Sequence, residues 1–229
     1  MNQKEREGTR SAGYYIQENV CSESECDRLI AILSLDNVRR SRAGARNLMN
    51  IPAIAELAFD RRLLAITEVV YGRELVPYKA TLFEKSGKAN WLVAWHQDTA
   101  LPLEEFKGCD RWGSTSIKAG IRFAHAPPSA LSRILALRIH LDASTELNGP
   151  LRVVRGSHSF GLLTDKDIEQ YVNKGEIVEC LTGRGGVLAM SPLLLHASSK
   201  TEADLPRRVL HIEYAESLDI ENGIRLAVA

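Results

Sequence analysis

Apolar and polar positions alternate with two different periods along the chain, and the change comes near residue 72. Before it the spacing is helical. Ser22 stands three residues ahead of Glu25, a capping-box pair, and Cys26, Leu29, Ile30 and Leu33 then recur along one face. A second helix is expected over 52–71, opened by Pro52 and stopped by Gly72. Two departures precede these helices: a polar opening over 1–10, expected to be a frayed tail, and a short strand over 13–16. Between the helices, 39–50 is polar and arginine-rich and reads as loop.

After Gly72 the period falls towards two. Residues 75–83 alternate and end at a turn on Ser86-Gly87. Short apolar runs bounded by Gly, Pro or Asn follow over 91–98, 120–123, 134–141, 151–154, 177–181, 186–190, 193–198 and 207–214. The stretch 99–116 reads as an irregular segment of the kind that forms a lid or a substrate wall, and 162–173 as a polar helix. Helices ahead of about eight strands predict a mainly β single domain over 1–229. It would be a sandwich or squashed barrel with helices packed on one outer face.

Composition narrows the function classes. The 229 residues balance 29 Lys and Arg against 29 Asp and Glu, so the net charge is zero and nucleic-acid binding has no electrostatic support. No apolar run approaches the length of a membrane span, and the charged N-terminus has no signal-peptide core. Cys21, Cys26, Cys109 and Cys180 are scattered, without Cys-x-x-Cys, and read as reduced thiols of a cytoplasmic protein. The expected partner is a small molecule.

The candidate chemistry lies at the end of Trp91-Leu92-Val93-Ala94-Trp95-His96-Gln97-Asp98. On a strand, His96 and Asp98 project to one side and can share one metal ion. A third ligand must come from elsewhere, and His196, closing Leu193-Leu194-Leu195-His196, is the best placed. Two His and one carboxylate on one face of an octahedron form the donor set of non-haem Fe(II) sites. Two other His-x-acid pairs compete. His140/Asp142 runs into an Asn-Gly turn that explains the Asp, and His211/Glu213 lies on the strand opened by Arg207. If Arg207 faces inward, His211 and Glu213 do too. His158, in Arg155-Gly156-Ser157-His158, reads as a structural turn residue. Arg42 and Arg46 are candidates for contacting an anionic substrate, although such arginines are more often solvated.

Taken together these stretches resemble the phytanoyl-CoA dioxygenase-like Fe(II)/2-oxoglutarate oxygenases. The resemblance rests on Gly13-Tyr14-Tyr15, the Ser22-to-Asp27 helix start, Trp95-His96-Gln97-Asp98 and Asn148-Gly149-Pro150-Leu151. It continues through Gly156-Ser157-His158 and His196-Ala197-Ser198, with Arg207 eleven residues after His196. It implies a double-stranded β-helix of jelly-roll, cupin-like form. It implies iron on His96, Asp98 and His196, and 2-oxoglutarate with its far carboxylate on Arg207 and Ser198 beside it. Gln97 and Arg138 would lie near the cosubstrate, with Arg138 where some members place Trp. The implied reaction is hydroxylation of a small molecule with release of succinate and CO2, and Asp98 argues against halogenation. The competing expectations are a cupin-like metal-binding protein or isomerase without 2-oxoglutarate, and a catalytically silent scaffold.

Overall fold

The computed structural model describes residues 3–35, 38–41, 44–85, 90–106, 108–221 and 223–229, with side chains from residue 7 onward. The expected turn at Ser86-Gly87 and the Arg42 side chain lie outside these residues. Among the described residues, the largest sheet has seven antiparallel strands. Their order is Tyr14–Gln17, Val187–Met190, Ile134–His140, Arg207–Ala215, Val76–Lys85, Gly44–Ala45 and Arg40–Ser41. Facing it is a four-stranded sheet ordered Ile177–Cys180, Leu151–Val154, His196–Ser198 and Val93–His96. Ala136, Leu188 and Met190 of the first sheet meet Leu151, Val153 and Cys180 of the second in one buried cluster. The fold is a double-stranded β-helix, mainly β, in jelly-roll form.

Strand alternation decides what each face of the large sheet carries. Leu137, Ile139, Leu210, Ile212 and Tyr214 point outward, onto Leu29, Leu33, Ile54, Leu63 and Ile66 of the N-terminal helices. The intervening residues Arg138, His140, Arg207, His211 and Glu213 therefore face the barrel interior, and all five are buried. Covering one face with helices thus forces a charged set inside.

The helix signals act as their chemistry requires. Ser22 and Glu25 form a reciprocal capping box on Glu23–Leu33. The helix expected over 52–71 is two helices, Pro52–Ala58 and Arg61–Tyr71. Asp60 breaks it by adopting extended backbone and accepting the Arg62 amide as an N-cap. Gly72 closes the second helix at φ 97°, a left-handed conformation that favours glycine.

The polar opening is not a frayed tail but the helix Gln3–Ala12. Arg10 anchors it by donating to the carbonyls of Val70 and Tyr71, at 3.3 and 3.1 Å, where a helix C-terminus leaves acceptors free. The 39–50 segment also holds more than loop. It pairs Arg40–Ser41 with Gly44–Ala45 and ends in the 3-10 turn Leu48–Asn50. The irregular stretch 99–116 contains Ala100–Leu103, which joins Thr115–Lys118 and Ile121–His125 in a three-stranded sheet beside the barrel. Cys21, Cys26, Cys109 and Cys180 are free thiols, and no described helix is long and apolar enough to cross a membrane.

Candidate metal centre

His96 and His196 are directly opposed on neighbouring antiparallel strands. That register brings their Cβ atoms within about 5 Å, and the ring centroids are 4.2 Å apart. Asp98 lies just beyond the strand, held by its amide donating to the Pro192 carbonyl at 2.9 Å. Its Oδ1 is 3.7 Å from His96 Nε2, and its Oδ2 is 3.6 Å from His196 Nε2. These three groups form the one candidate metal cluster among the described residues.

The ring orientations suit a metal. His96 Nδ1 bonds the Ala94 carbonyl and His196 Nδ1 the Leu194 carbonyl, each at 2.8 Å. A carbonyl only accepts, so both Nδ1 atoms carry a proton, and both Nε2 atoms face the Asp98 carboxylate. Backbone carbonyls on the far ring nitrogen are the usual support of a metal-bound imidazole. Burial, partly opposed by Asp98, pushes His196 down to about 4 and keeps it neutral. Burial would raise the Asp98 carboxyl, but His196, His211 and His96 outweigh it and hold it below the usual carboxylate range. Two imidazoles and one carboxylate turned on one point are donors that suit a divalent ion.

Two motifs fasten these ligands. Ser157 of Gly156-Ser157-His158 accepts the Leu195 amide at 2.8 Å, one residue before His196. His158 bonds the Arg10 carbonyl at 2.9 Å, a structural role. Gln97 lines the cavity, but its amide donates to the carbonyls of Gly161 and Leu193 and accepts from Leu163 N. Its side chain therefore ties the 161–163 loop and the Leu193 turn to the segment between His96 and Asp98.

Deeper in the barrel stands a second constellation. Arg207 is buried, with Nε donating to the Asn148 carbonyl at 3.2 Å and Nη2 to Ser198 Oγ at 3.3 Å, while Nη1 has no partner. Gly149 makes the turn that presents this carbonyl. It sits at φ 66°, and a Cβ there would come within 2.5 Å of the Ser199 carbonyl. Lys85, directly across the strand pair from Arg207, donates to Ser198 Oγ and to the Ser199 carbonyl. Arg138 lies over the Phe83 ring at 5.5 Å with Nη1 near His211 Nδ1. Among the described residues none of these three cations has a carboxylate partner. Burial, then Arg207, Arg138 and Arg152, pulls Lys85 down to about 7. Buried cations without counterions mark a place for an anion.

Of the competing pairs, His140/Asp142 does not assemble. His140 faces inward and is pushed to about 3 by burial and by Arg138 and Arg207, whereas Asp142 forms a two-pronged ion pair with Arg208 at 2.7 Å. His211/Glu213 does face inward. His211 Nε2 is 3.1 Å from Glu213 Oε1, and Lys79 and Tyr78 donate to the same carboxylate at 2.6 and 2.5 Å. Burial would raise Glu213, but Lys79 and His211 outweigh it and hold it well below its usual range. The sequence reading passed over Lys79 and Lys85. The signal was there, because 79, 81, 83 and 85 share one strand face opposite Ala80 and Leu82.

A cavity of about 310 Å³ opens on His96 and Asp98, within the range of small-molecule sites. Its lining includes Arg46, Thr99, Leu101, Lys118 and Phe123, so both loops expected near the mouth border it.

The family model for phytanoyl-CoA dioxygenase (PhyH) matches residues 9–209. The chain belongs to this family. No curated protein sequence matches it. Solved structures of the same fold include AviO1 from Streptomyces viridochromogenes, at 21% identity and TM-score 0.65, covering 92% of each chain. EctD from S. alaskensis with bound Fe has 19% identity and TM-score 0.71, over 100% of this chain and 80% of its own. HygX from Streptomyces hygroscopicus, with nickel and 2-oxoglutarate bound, has 17% identity and TM-score 0.64, over 94% and 86%. At these identities the likeness establishes the fold.

Proposed function

We propose that this PhyH-family chain acts as one Fe(II)- and 2-oxoglutarate-dependent dioxygenase domain that hydroxylates a small molecule. The observation that carries the reading is a pair of features in one barrel. A His–Asp–His donor set with both Nε2 atoms turned to the carboxylate lies at a cavity lined by His96 and Asp98, and a buried, carboxylate-free arginine stands deeper in. Family membership and the metal and 2-oxoglutarate bound to EctD and HygX support it.

In this reading His96 and His196 hold iron through Nε2 and Asp98 through its carboxylate, while the Ala94 and Leu194 carbonyls keep both rings in the right tautomer. Iron and 2-oxoglutarate together supply dioxygen activation coupled to loss of succinate and CO2, with the oxidising power spent on a substrate C–H bond. Arg207 grips the far carboxylate of the cosubstrate, using the Nη1 proton that has no protein partner. Ser198 lies beside that carboxylate, and Lys85 and Arg138 add positive potential. Gln97 acts on the cosubstrate indirectly, by locking the loop between the ligands. The Glu213–His211–Lys79 network walls the cavity with its charges already paired.

The test mixes protein, Fe(II), 2-oxoglutarate and air against a metabolite panel and measures succinate. Substrate-stimulated succinate supports the reading. Metal binding with no binding of 2-oxoglutarate sinks it and favours a cupin-like metal protein.

A further inference from the structure

The cavity that opens on His96 and Asp98 has a cationic rim that the proposed reaction leaves unused. Arg46, Lys79 and Lys118 line it together with Asp98 and Glu213. Lys79 is taken by Glu213. Asp98 belongs to the metal donor set. Neither the Arg46 nor the Lys118 side chain makes an ion pair or hydrogen bond to any described residue. Burial first, then the charges of Arg46 and Lys79, outweighs the attraction of Asp98 and pulls the Lys118 ammonium below the usual lysine range.

The backbone segments that carry these two cations are tied together. Asn47, next to Arg46, donates to the carbonyl of Ala119, next to Lys118, at 3.1 Å. Asn47 and Ala119 both have left-handed backbone, at φ 58° and 50°. Ala119-Gly120 is the two-residue turn joining Thr115–Lys118 to Ile121–His125, where positive φ is needed at both positions. On the face of that hairpin, Lys118 Nζ sits 5.0 Å from the Phe123 ring centroid, and Lys79 Nζ sits 5.6 Å from the same ring. The aromatic ring thus lies beneath both lysines.

These cations are a set apart from the one around Arg207. Neither Arg207, Lys85 nor Ser198 lines the cavity that holds Arg46 and Lys118. Ala45, next to Arg46, pairs with Leu82, and the adjoining Thr81 pairs with His211, four residues along the strand from Arg207. At about 3.3 Å per residue that separation is roughly 13 Å. Two cation sets that share no lining leave a place for a second anion.

We propose that the prime substrate carries a carboxylate or phosphate group bound by Arg46 and Lys118 at the cavity mouth, with its apolar part against Phe123 and Leu101. The inference rests on reading this cavity as the substrate site of an Fe(II)/2-oxoglutarate enzyme.

The test uses the full chain loaded with Ni(II), a redox-inert stand-in, and 2-oxoglutarate. Calorimetric titrations compare 3-phenylpropanoate, phenyl phosphate and 3-phenylpropanamide. The wild type should bind at least one of the two anions about tenfold or more tighter than the neutral amide, and the tighter anion tells carboxylate from phosphate. The double variant Arg46→Gln, Lys118→Gln should bring that anion to within about twofold of the amide. Its melting temperature and its affinity for 2-oxoglutarate should stay as in the wild type. A wild type without anion preference, or a double variant that keeps it, overturns the proposal. So does a variant that loses affinity for 2-oxoglutarate in proportion. Failure of the wild type to bind 2-oxoglutarate, with the anion preference intact on the Ni(II) protein, sinks the cosubstrate reading alone.

Discussion

Replacing Arg207 with methionine separates the cost of a buried charge from its use. The side chain is 4% exposed, and burial first, then the Arg138 guanidinium, pulls its pKa from 12.5 to about 9. That fall corresponds to about 5 kcal/mol against the charged form. The sign follows from linkage. Below pH 9 both folded and unfolded chains hold the proton, so the penalty is fully present at pH 7 and fades only as pH rises from about 9 to 12.5. Arg207→Met removes this penalty and two hydrogen bonds of about 1 kcal/mol each. The free protein should therefore melt at an unchanged temperature or several degrees higher. Cosubstrate binding should respond oppositely. Truncating one partner of a buried charge pair costs about 3 kcal/mol, on the order of a hundredfold in affinity. With Ni(II) present and 2-oxoglutarate at a hundred times the wild-type Kd, the wild type gains about 2.7 kcal/mol, or roughly 5–10 °C. The variant, half saturated at that concentration, gains about 0.4 kcal/mol, or about 1 °C. A scanning-fluorimetry series with and without 2-oxoglutarate reads both effects. A variant that melts more than 5 °C lower and keeps the full ligand shift would refute the reasoning.

Three further outcomes are expected. His96→Ala and His196→Ala should each lower Ni(II) affinity by two orders of magnitude or more in a metal titration, while His140→Ala leaves it unchanged; the reverse pattern would mean the wrong histidines hold the ion. Lys85, lowered to about 7, leaves the unfolded chain holding more protons between about pH 7 and 10.5, so wild-type stability should gain a rising component across that window. Lys85→Met should flatten this component and raise stability most near pH 7, and equal slopes in denaturation from pH 7 to 10 would contradict it. Arg208→Ala breaks the two-pronged pair with Asp142 on the outer side of the strand and should lower stability by about 1–2 kcal/mol. Its affinity for 2-oxoglutarate should match the wild type, and a hundredfold loss there would mean Arg208, not Arg207, faces the cosubstrate.

Local chemistry was readable wherever a short stretch decides its own conformation. Ser22 and Glu25 cap a helix because the partners are three residues apart, and Gly72 ends one because it accepts positive φ. Strand alternation placed Arg207, His211 and Glu213 on one face because the side-chain period of a strand is two. The pairing of His96 with His196 is different in kind. It depends on the register of strands a hundred residues apart, and the sequence named the residues without the 4.2 Å contact. The extended reading of 52–71 failed at Asp60, where an N-cap bond competed with an apolar period that continued across it. The polar opening formed a helix only because the end of another helix, at Val70 and Tyr71, offers carbonyls to Arg10. Lys85 and Arg138 were the hardest to place. A charged residue on a strand normally turns to water, and only the helices covering the opposite face force these two inward beside Arg207. The sequence by itself named the candidate donor set His96, Asp98 and His196 and the arginine Arg207. Which of them meet, and which charges are left without a partner, was decided by long-range packing, because burial and counterion distance are properties of the assembled sheets.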